Sequence, residues 1–319
     1  NKNNVFVDIN DIISMATTVR SNVLTKHALP SSLSYSKGKI NINQFLYLET
    51  CAIENINNNF YQSIILKTFS KSPNPTEDIV RGKLLKSNYL NVATNIKNFL
   101  LNNGYVPNYA SCSVGKMDSK NSIFLYSEIL SYFKDNNKLP DYVLINPWSI
   151  LSNKNTIIFT PDQIINASYY IRDYIETNHT LPTTITVGVK SLNQNQILKL
   201  ELATLHLING SYAGSLVLDK YSSKSITDSL SSGYLNQKEY LDIARLIEYD
   251  MFYNDKIDES TSLGKIGITN GLYIYSQILI SYDNTGKLPD AINVKPWSII
   301  SNKNTKFVCS TLCSNFSLS

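Results

Sequence analysis

The residues able to do covalent chemistry are few. The sequence holds three histidines, His27, His179 and His206, and four cysteines, Cys51, Cys112, Cys309 and Cys313. A cysteine nucleophile needs an imidazole within hydrogen-bond reach and a carboxylate to orient that imidazole. No histidine neighbours a cysteine along the chain, so only the fold could bring such a pair together. His27 and His179 stand in turns just before Leu-Pro pairs, and His206 follows Leu205 in a helix-like stretch. Cys51 lies on an apolar helix face, where a thiol behaves as a small core residue. Cys309 and Cys313 are spaced i, i+4 but lack the second pair that a zinc site needs, so neither a metal nor another cofactor is expected.

Carboxylates inside apolar faces are the second candidate chemistry. In "NQFLYLETCAIENINN" (43–58) Phe45, Leu48, Ala52, Ile53 and Ile56 form one face of a 3.6-residue period, and Glu49 sits within it. "NQILKLELATLHLIN" (195–209) repeats the arrangement with Glu201. Aligning four such segments gives one column: Glu49, Glu128, Glu201 and Gln277. An acid–base catalyst or a cation ligand does not freely become glutamine, whereas a hydrogen-bond acceptor does. A buried carboxylate without partners costs several kcal/mol. The favoured reading is therefore structural, each side chain accepting backbone N–H groups from the Leu-Pro turn or strand of its own module. The functional alternative is that the column meets amide groups of a ligand. Aromatic candidates recur beside it. Tyr47, Tyr126 and Tyr275 lie one residue from the apolar stripe, and they stand open between packing and ligand contact. Trp148 and Trp297 follow prolines, where packing as spacers beneath a helix is preferred over stacking on sugar faces.

The elements that must position these residues repeat. "LPDYVLINPWSILSNKNT" (139–156) returns as "LPDAINVKPWSIISNKNT" (288–305), "YLNVA" (89–93) as "YLDIA" (240–244), and Glu49 as Glu201, at steps of 149, 151 and 152 residues. A shorter step lies inside: Ala16, Ala93, Ala167 and Ala244 fall mid-way in similar amphipathic segments, 77, 74 and 77 residues apart. Ile164, Ala167, Ile171, Tyr174 and Ile175 make the helical stripe of the third, with the small polar Ser168 among them. Each such segment ends at a polar turn, often Leu29-Pro30 or Leu181-Pro182 in type, because proline cannot continue a helix. A short extended piece near a glycine follows, at Gly38, Gly115, Gly188 and Gly267, and then a second amphipathic segment. "PDYVLI" (140–145) and "PTTITVGV" (182–189) carry β-branched and aromatic residues after proline and predict short strands. The expected fold is mainly α with short β segments: a tandem repeat of helix–turn–short strand–helix modules in two copies of about 150 residues, 1–157 and 158–319.

Composition narrows the partners. Charged residues are 17% of the chain and the net charge is +4, without a dense Lys/Arg stripe, so nucleic acid is not expected. No run of about 18 apolar residues occurs, so no membrane insertion of this segment is expected either. Twenty-one tyrosines against two tryptophans, amid abundant Asn and Ser, give a surface suited to carbohydrate or peptide contact; an AT-rich genome produces the same bias. Of four glycosylation-type sequons, at Asn166, Asn178, Asn209 and Asn315, several would arise by chance in so Asn-rich a chain.

"GKININQFLYLETCAIENIN" and the Leu-Pro turns resemble the pseudomurein-binding repeat, found in adhesin-like surface proteins of methanogenic archaea and beside the catalytic domain of pseudomurein endoisopeptidases. "FLYL" (45–48) is the nearest match, with "IFLYSEIL" (123–130), "ILKLELAT" (197–204) and "LYIYSQIL" (272–279) progressively further. The resemblance covers nearly the whole chain, most weakly at residues 60–85 and 212–235. It implies an extracellular, wall-associated chain that binds pseudomurein, a polymer of amino sugars crosslinked by short peptides, without catalysis. Two rivals remain: a structural stalk that spaces an adhesin from the wall, and part of an endoisopeptidase, whose Cys/His/Asp triad has no matching stretch here. Weak binding by each module, summed over a repetitive polymer, would give avidity without a deep pocket. In this reading Tyr47, Tyr126, Tyr275, Trp148, Trp297 and the Glu49, Glu128, Glu201, Gln277 column are the candidate contacts.

Overall fold

A computed structural model describes residues 4–218, 224–225, 228–254 and 256–307. The chain divides into two compact units, one of residues 1–161 with 206–218, the other of 162–205 with 219–319. It is mainly α with short β pairs. Ten helices lie among the described residues: α1 (Ile9–Lys26), α2 (Ile42–Asn57), α3 (Lys86–Asn103), α4 (Ser119–Asn136), α5 (Trp148–Leu151), α6 (Pro161–Asn178), α7 (Gln194–Asn209), α8 (Gln237–Tyr253), α9 (Ile268–Thr285) and α10 (Trp297–Ile300). None is long and apolar enough to cross a membrane.

Local signals set the helix ends. Asn41 caps α2, its side chain accepting from the backbone N–H groups of Asn43 and Gln44 while Gln44 accepts from the N–H of Asn41. Asp118 caps α4 and Asn236 caps α8 in the simpler one-bond form. The long helices α1, α3, α4 and α9 end on left-handed residues, His27, Gly104, Asn137 and Gly286. The Leu-Pro pairs lie just beyond His27, Asn137 and Gly286, as a ring without a backbone donor requires.

Between the long helices run two-stranded antiparallel hairpins: Ser32–Tyr35 with Gly38–Asn41, Ala110–Cys112 with Gly115–Met117, Ile185–Val187 with Lys190–Leu192, and Glu259–Thr261 with Gly264–Ile266. The turn glycine of the fourth is Gly264, with φ +125°, and not Gly267, which has φ −112° and caps α9. The sequence pattern placed it three residues late. Gly115 and Gly264 are obligatory, because an added Cβ would lie 2.6 Å from the Asp78 carbonyl oxygen and 2.3 Å from that of Ser229. The largest sheet among the described residues has three strands. Tyr142–Ile145 is its centre, with Gly82–Leu85 antiparallel on one edge and Tyr212–Ala213 parallel on the other.

In the first unit α4 packs on α1 and α2, and α2 also packs on α3, around one core cluster. The α2 stripe of Phe45, Leu48, Ala52, Ile53 and Ile56 is buried there, with Glu49 fully enclosed among them. Burying a Leu- or Phe-sized side chain contributes about 1.5–3 kcal/mol, so such stripes hold the helices together. One alignment needs correcting. His27 and His179 match at a step of 152, which sets Ser168 opposite Ala16 and shifts Ala167 out of the column. Ser168 is fully buried and belongs to the core stripe, because Glu201 gives its hydroxyl a partner.

Candidate functional site

The three acids of the column lie where elements meet, and their partners are side chains. Glu49 on α2 accepts from the Ser127 hydroxyl of α4 at 2.6 Å. Glu201 on α7 accepts from Ser276 of α9 at 2.7 Å and from Ser168 of α6 at 2.8 Å. Glu128 on α4 accepts from Arg20 Nε of α1 at 2.9 Å and from the hydroxyl of Ser215. The expected donors, backbone N–H groups of the Leu-Pro turns, are replaced by hydroxyls and a guanidinium. A serine on a facing helix reaches an acid at its own level, as Ser127 and Ser276 do.

Burial decides the charge. Glu49 and Glu201 are fully enclosed and keep one oxygen each, Oε2, without a hydrogen-bond partner. Desolvation drives the Glu49 carboxyl far above the usual carboxylate range, against the smaller opposing effect of Ser127. Desolvation likewise pushes Glu201 up to about 8, with Ser276 and Ser168 opposing. Glu201 is therefore a neutral acid at pH 7, Glu49 is shifted the same way by the same cause, and a neutral acid is close to an amide in shape. That is the physical reason a glutamine stands in the same column at Gln277.

A ligand outside the protein has no route to these groups. Glu49, Glu128 and Glu201 are at most 2% exposed, and Tyr47, Tyr126 and Tyr275 at most 6%. This removes six of the nine candidate contacts from direct ligand binding. The tyrosines are internal ties. Tyr126 donates to the carbonyl of Tyr89 at 3.1 Å and Tyr275 to that of Tyr240 at 3.0 Å, each linking the second helix of a pair to the first. Tyr89 and Tyr240 then donate to Pro140 and Pro289, both at 2.7 Å, pinning the Leu-Pro turns. Sequence reasoning passed over Tyr89 and Tyr240, although each is the first residue of the repeated "YLNVA" and "YLDIA". Tyr47 packs against Phe69 with ring centroids 5.1 Å apart.

Trp148 and Trp297 are half-buried and each opens a four-residue helix. Trp148 packs against the small cluster of Val23, Phe124, Leu151 and Ile158, and its backbone N–H is capped by the Glu77 carboxylate at 2.6 Å. The histidines serve the same short helices. His27 Nδ1 lies 2.9 Å from the carbonyl oxygen of Leu151, and His179 Nδ1 lies 2.9 Å from that of Ile300. A carbonyl only accepts, so each imidazole carries its proton on Nδ1 and ties a helix C-terminus to the end of the α5 or α10 turn. Cys51 is a free, buried thiol pushed up to about 11 by desolvation, hence protonated, and Cys112 donates to the Gly115 carbonyl at 3.2 Å. Cys309 and Cys313 lie outside the described residues, as does Asn315. Among the described residues no group of three or more His, Cys, Asp or Glu is placed to hold a metal ion.

Among the described residues the exposed tyrosines are others: Tyr61, Tyr109, Tyr170, Tyr234 and Tyr249. On α6, Tyr170 and the half-buried Tyr174 stand 5.9 Å apart, and the Arg172 guanidinium lies over the Tyr169 ring. None of the five exposed tyrosines recurs at the 149–152-residue step, where Ala213, Asp258, Thr18, Lys83 and Asn98 stand instead. The interior ties recur and these exposed rings do not. In comparison with known proteins, no family matches this chain and no curated protein is significantly similar to it.

Proposed function

We propose that the chain is two copies of one unit of helix–turn–strand–helix modules, and that it binds the wall polymer pseudomurein without catalysing a reaction on it. What carries the binding reading is the surface: charge is sparse, and tyrosine, asparagine and serine supply flat rings with neutral hydrogen-bonding groups on a scaffold fixed by internal ties. The two-copy reading is supported by the paired bonds Tyr89–Pro140 and Tyr240–Pro289, Tyr126–Tyr89 and Tyr275–Tyr240, and His27–Leu151 and His179–Ile300. Direct polymer contact falls to exposed rings, with Tyr170 as the one to alter first. The buried column and buried tyrosines hold the scaffold. In this reading the chain is extracellular and wall-associated.

The test is co-sedimentation of the full chain with purified insoluble pseudomurein. The chain is expected in the pellet, and Tyr170→Ala is expected to lower retention several-fold at unchanged thermal stability. A chain that stays in the supernatant is a spacer and not a wall binder. Release of soluble peptide or amino sugar from the wall, abolished by Cys112→Ala or Cys309→Ala, would replace binding with hydrolysis.

A further inference from the structure

One joint in the first unit is complete, and among the described residues its counterpart in the second is open on one side. In the complete joint the strand Tyr142–Ile145 receives Tyr212–Ala213 along its second edge, in parallel, with Tyr212 opposite Tyr142 and Ala213 opposite Val143. The Asp141 N–H donates to the Ser211 carbonyl at 3.0 Å, and the rings of Tyr142 and Tyr212 meet edge-on at 4.6 Å. Two residues further on, Ser215 satisfies Glu128. In the open counterpart the strand Ala291–Val294 pairs with Gly233–Asn236 on one edge and, among the described residues, with nothing on the other. The consequences are visible in exposure. Val143 is fully buried while Ile292, at the same place, is half-exposed, and Tyr234 is 68% exposed. Gln277, at the place of Glu128, has a sealed Oε1 with no partner.

The first unit holds the matching segment, which pairs with no strand edge at residues 60–61; Tyr61 stacks on Phe133 at 6.4 Å and the Ser63 hydroxyl donates to Asp8. Residues 59–65 correspond to 211–217 at the step of 152. Asn59 has φ +55° and Ser211 φ +53°, so the chain leaves its helix by the same left-handed turn. Ile64–Ile65 pairs with Phe6–Val7 as Leu216–Val217 pairs with Ile158–Phe159. Ser63 stands where Ser215 does. Between them Phe60 and Tyr61, matching the strand Tyr212–Ala213, form no strand and are 49% and 55% exposed.

We infer that the chain associates head to tail with a second copy of itself, residues 60–61 of one copy adding as a parallel strand to the free edge of Ala291–Val294 in the next. Phe60 lies opposite Ala291 and beside Tyr234; a large ring facing a small residue takes the place of the Tyr212–Tyr142 pair. Strand addition at an open edge supplies main-chain hydrogen bonds, and the side chains set the register. The contact is heterologous, so each copy uses one surface to give and another to receive. One position differs. Gly214, at φ +142°, passes so near Leu144 that a Cβ there would lie 2.7 Å from the Leu144 Cβ, and its counterparts are Gln62 and Asn293. Gln62→Gly therefore tightens the association.

This inference rests on the two-copy reading and not on wall binding. The test is sedimentation velocity of the full chain over a concentration series. Wild type is expected to gain mass with concentration, and Gln62→Gly to do so at concentrations several-fold lower. Phe60→Glu alone and Ala291→Glu alone, both at exposed positions, are expected to be monomeric. Their equimolar mixture is expected to form a dimer, since each keeps the half the other has lost; a misfolded variant could not do this. Monomers from wild type and Gln62→Gly alike, or self-association that either glutamate leaves intact, would overturn the inference. Wall co-sedimentation of the same proteins keeps the two proposals apart. A chain that binds wall but never associates sinks the joint alone, and one that associates but ignores wall sinks the binding alone.

Discussion

Glu128 on α4 and Gln277 on α9 occupy one column yet live in different surroundings. Glu128 has a guanidinium and a serine hydroxyl against its two oxygens. Gln277 has neither: Arg172, which corresponds to Arg20 at the 152-residue step, pairs instead with its neighbour Asp173 at 2.7 Å. An acid stands where a cation and a hydroxyl meet it, and an amide stands where they do not. The lesson is that the column is tuned by its partners' chemistry, which is what a framework residue shows and a ligand-binding residue does not.

The strongest way to break that comparison is Arg20→Ala. It strands the Glu128 carboxylate, 2% exposed, without its cation, and is expected to cost about 3–5 kcal/mol. Arg172→Ala removes a contact to the exposed Asp173 and one to the face of the Tyr169 ring, and is expected to cost about 1 kcal/mol. Urea midpoints of the two variants measure the difference, and equal losses would show the two arginines to be equivalent after all.

The next effect is on pH dependence. The native Glu201 carboxyl titrates near 8 and an unfolded one near 4.5, so the native state holds the proton more tightly between those values. Stability therefore falls as pH rises from 4.5 to 8. Glu201→Gln gives this position the amide that Gln277 already has. It is expected to remove that slope and to exceed wild type by on the order of 5 kcal/mol above pH 8. Stability curves at pH 5, 7 and 9 check this, and a variant less stable than wild type at pH 9 would mean that the acid is needed in its charged form.

The smallest effect separates the two enclosed acids from each other. Glu49 has one hydroxyl donor and Glu201 two, because Ala16 stands where Ser168 does. Ser127→Ala is expected to cost about 1–2 kcal/mol and Ser276→Ala about half that, the remaining serine holding Glu201 in place. Thermal midpoints resolve the order, and a larger loss for Ser276→Ala would reverse the reading of Ser168.

Much of the framework was legible beforehand. The α2 stripe, the Leu-Pro stops and the short strands at 142–145 and 185–187 follow from period, proline and β-branching, which are local properties. The acid column was legible too, because Glu49 interrupts an otherwise apolar face. The identity of its partners was not. Ser127 is 78 residues from Glu49, Ser215 is 87 from Glu128 and Arg20 is 108 from it, and no local pattern marks a serine as the one facing an acid. The fourth hairpin glycine was misplaced because two glycines three residues apart fit the pattern equally, and only the backbone angle at Gly264 tells them apart.

The amino-acid order alone determined which stretches are helical, where they stop, and that related segments return about 150 residues later. Those are decisions made within a few residues, by periodicity and by proline's missing donor. Which aromatic rings face solvent, which acids lose their charge, and which strand edge stays open were settled only when distant helices packed. Desolvation and pairing are properties of surroundings, and a side chain has no surroundings until the chain has folded.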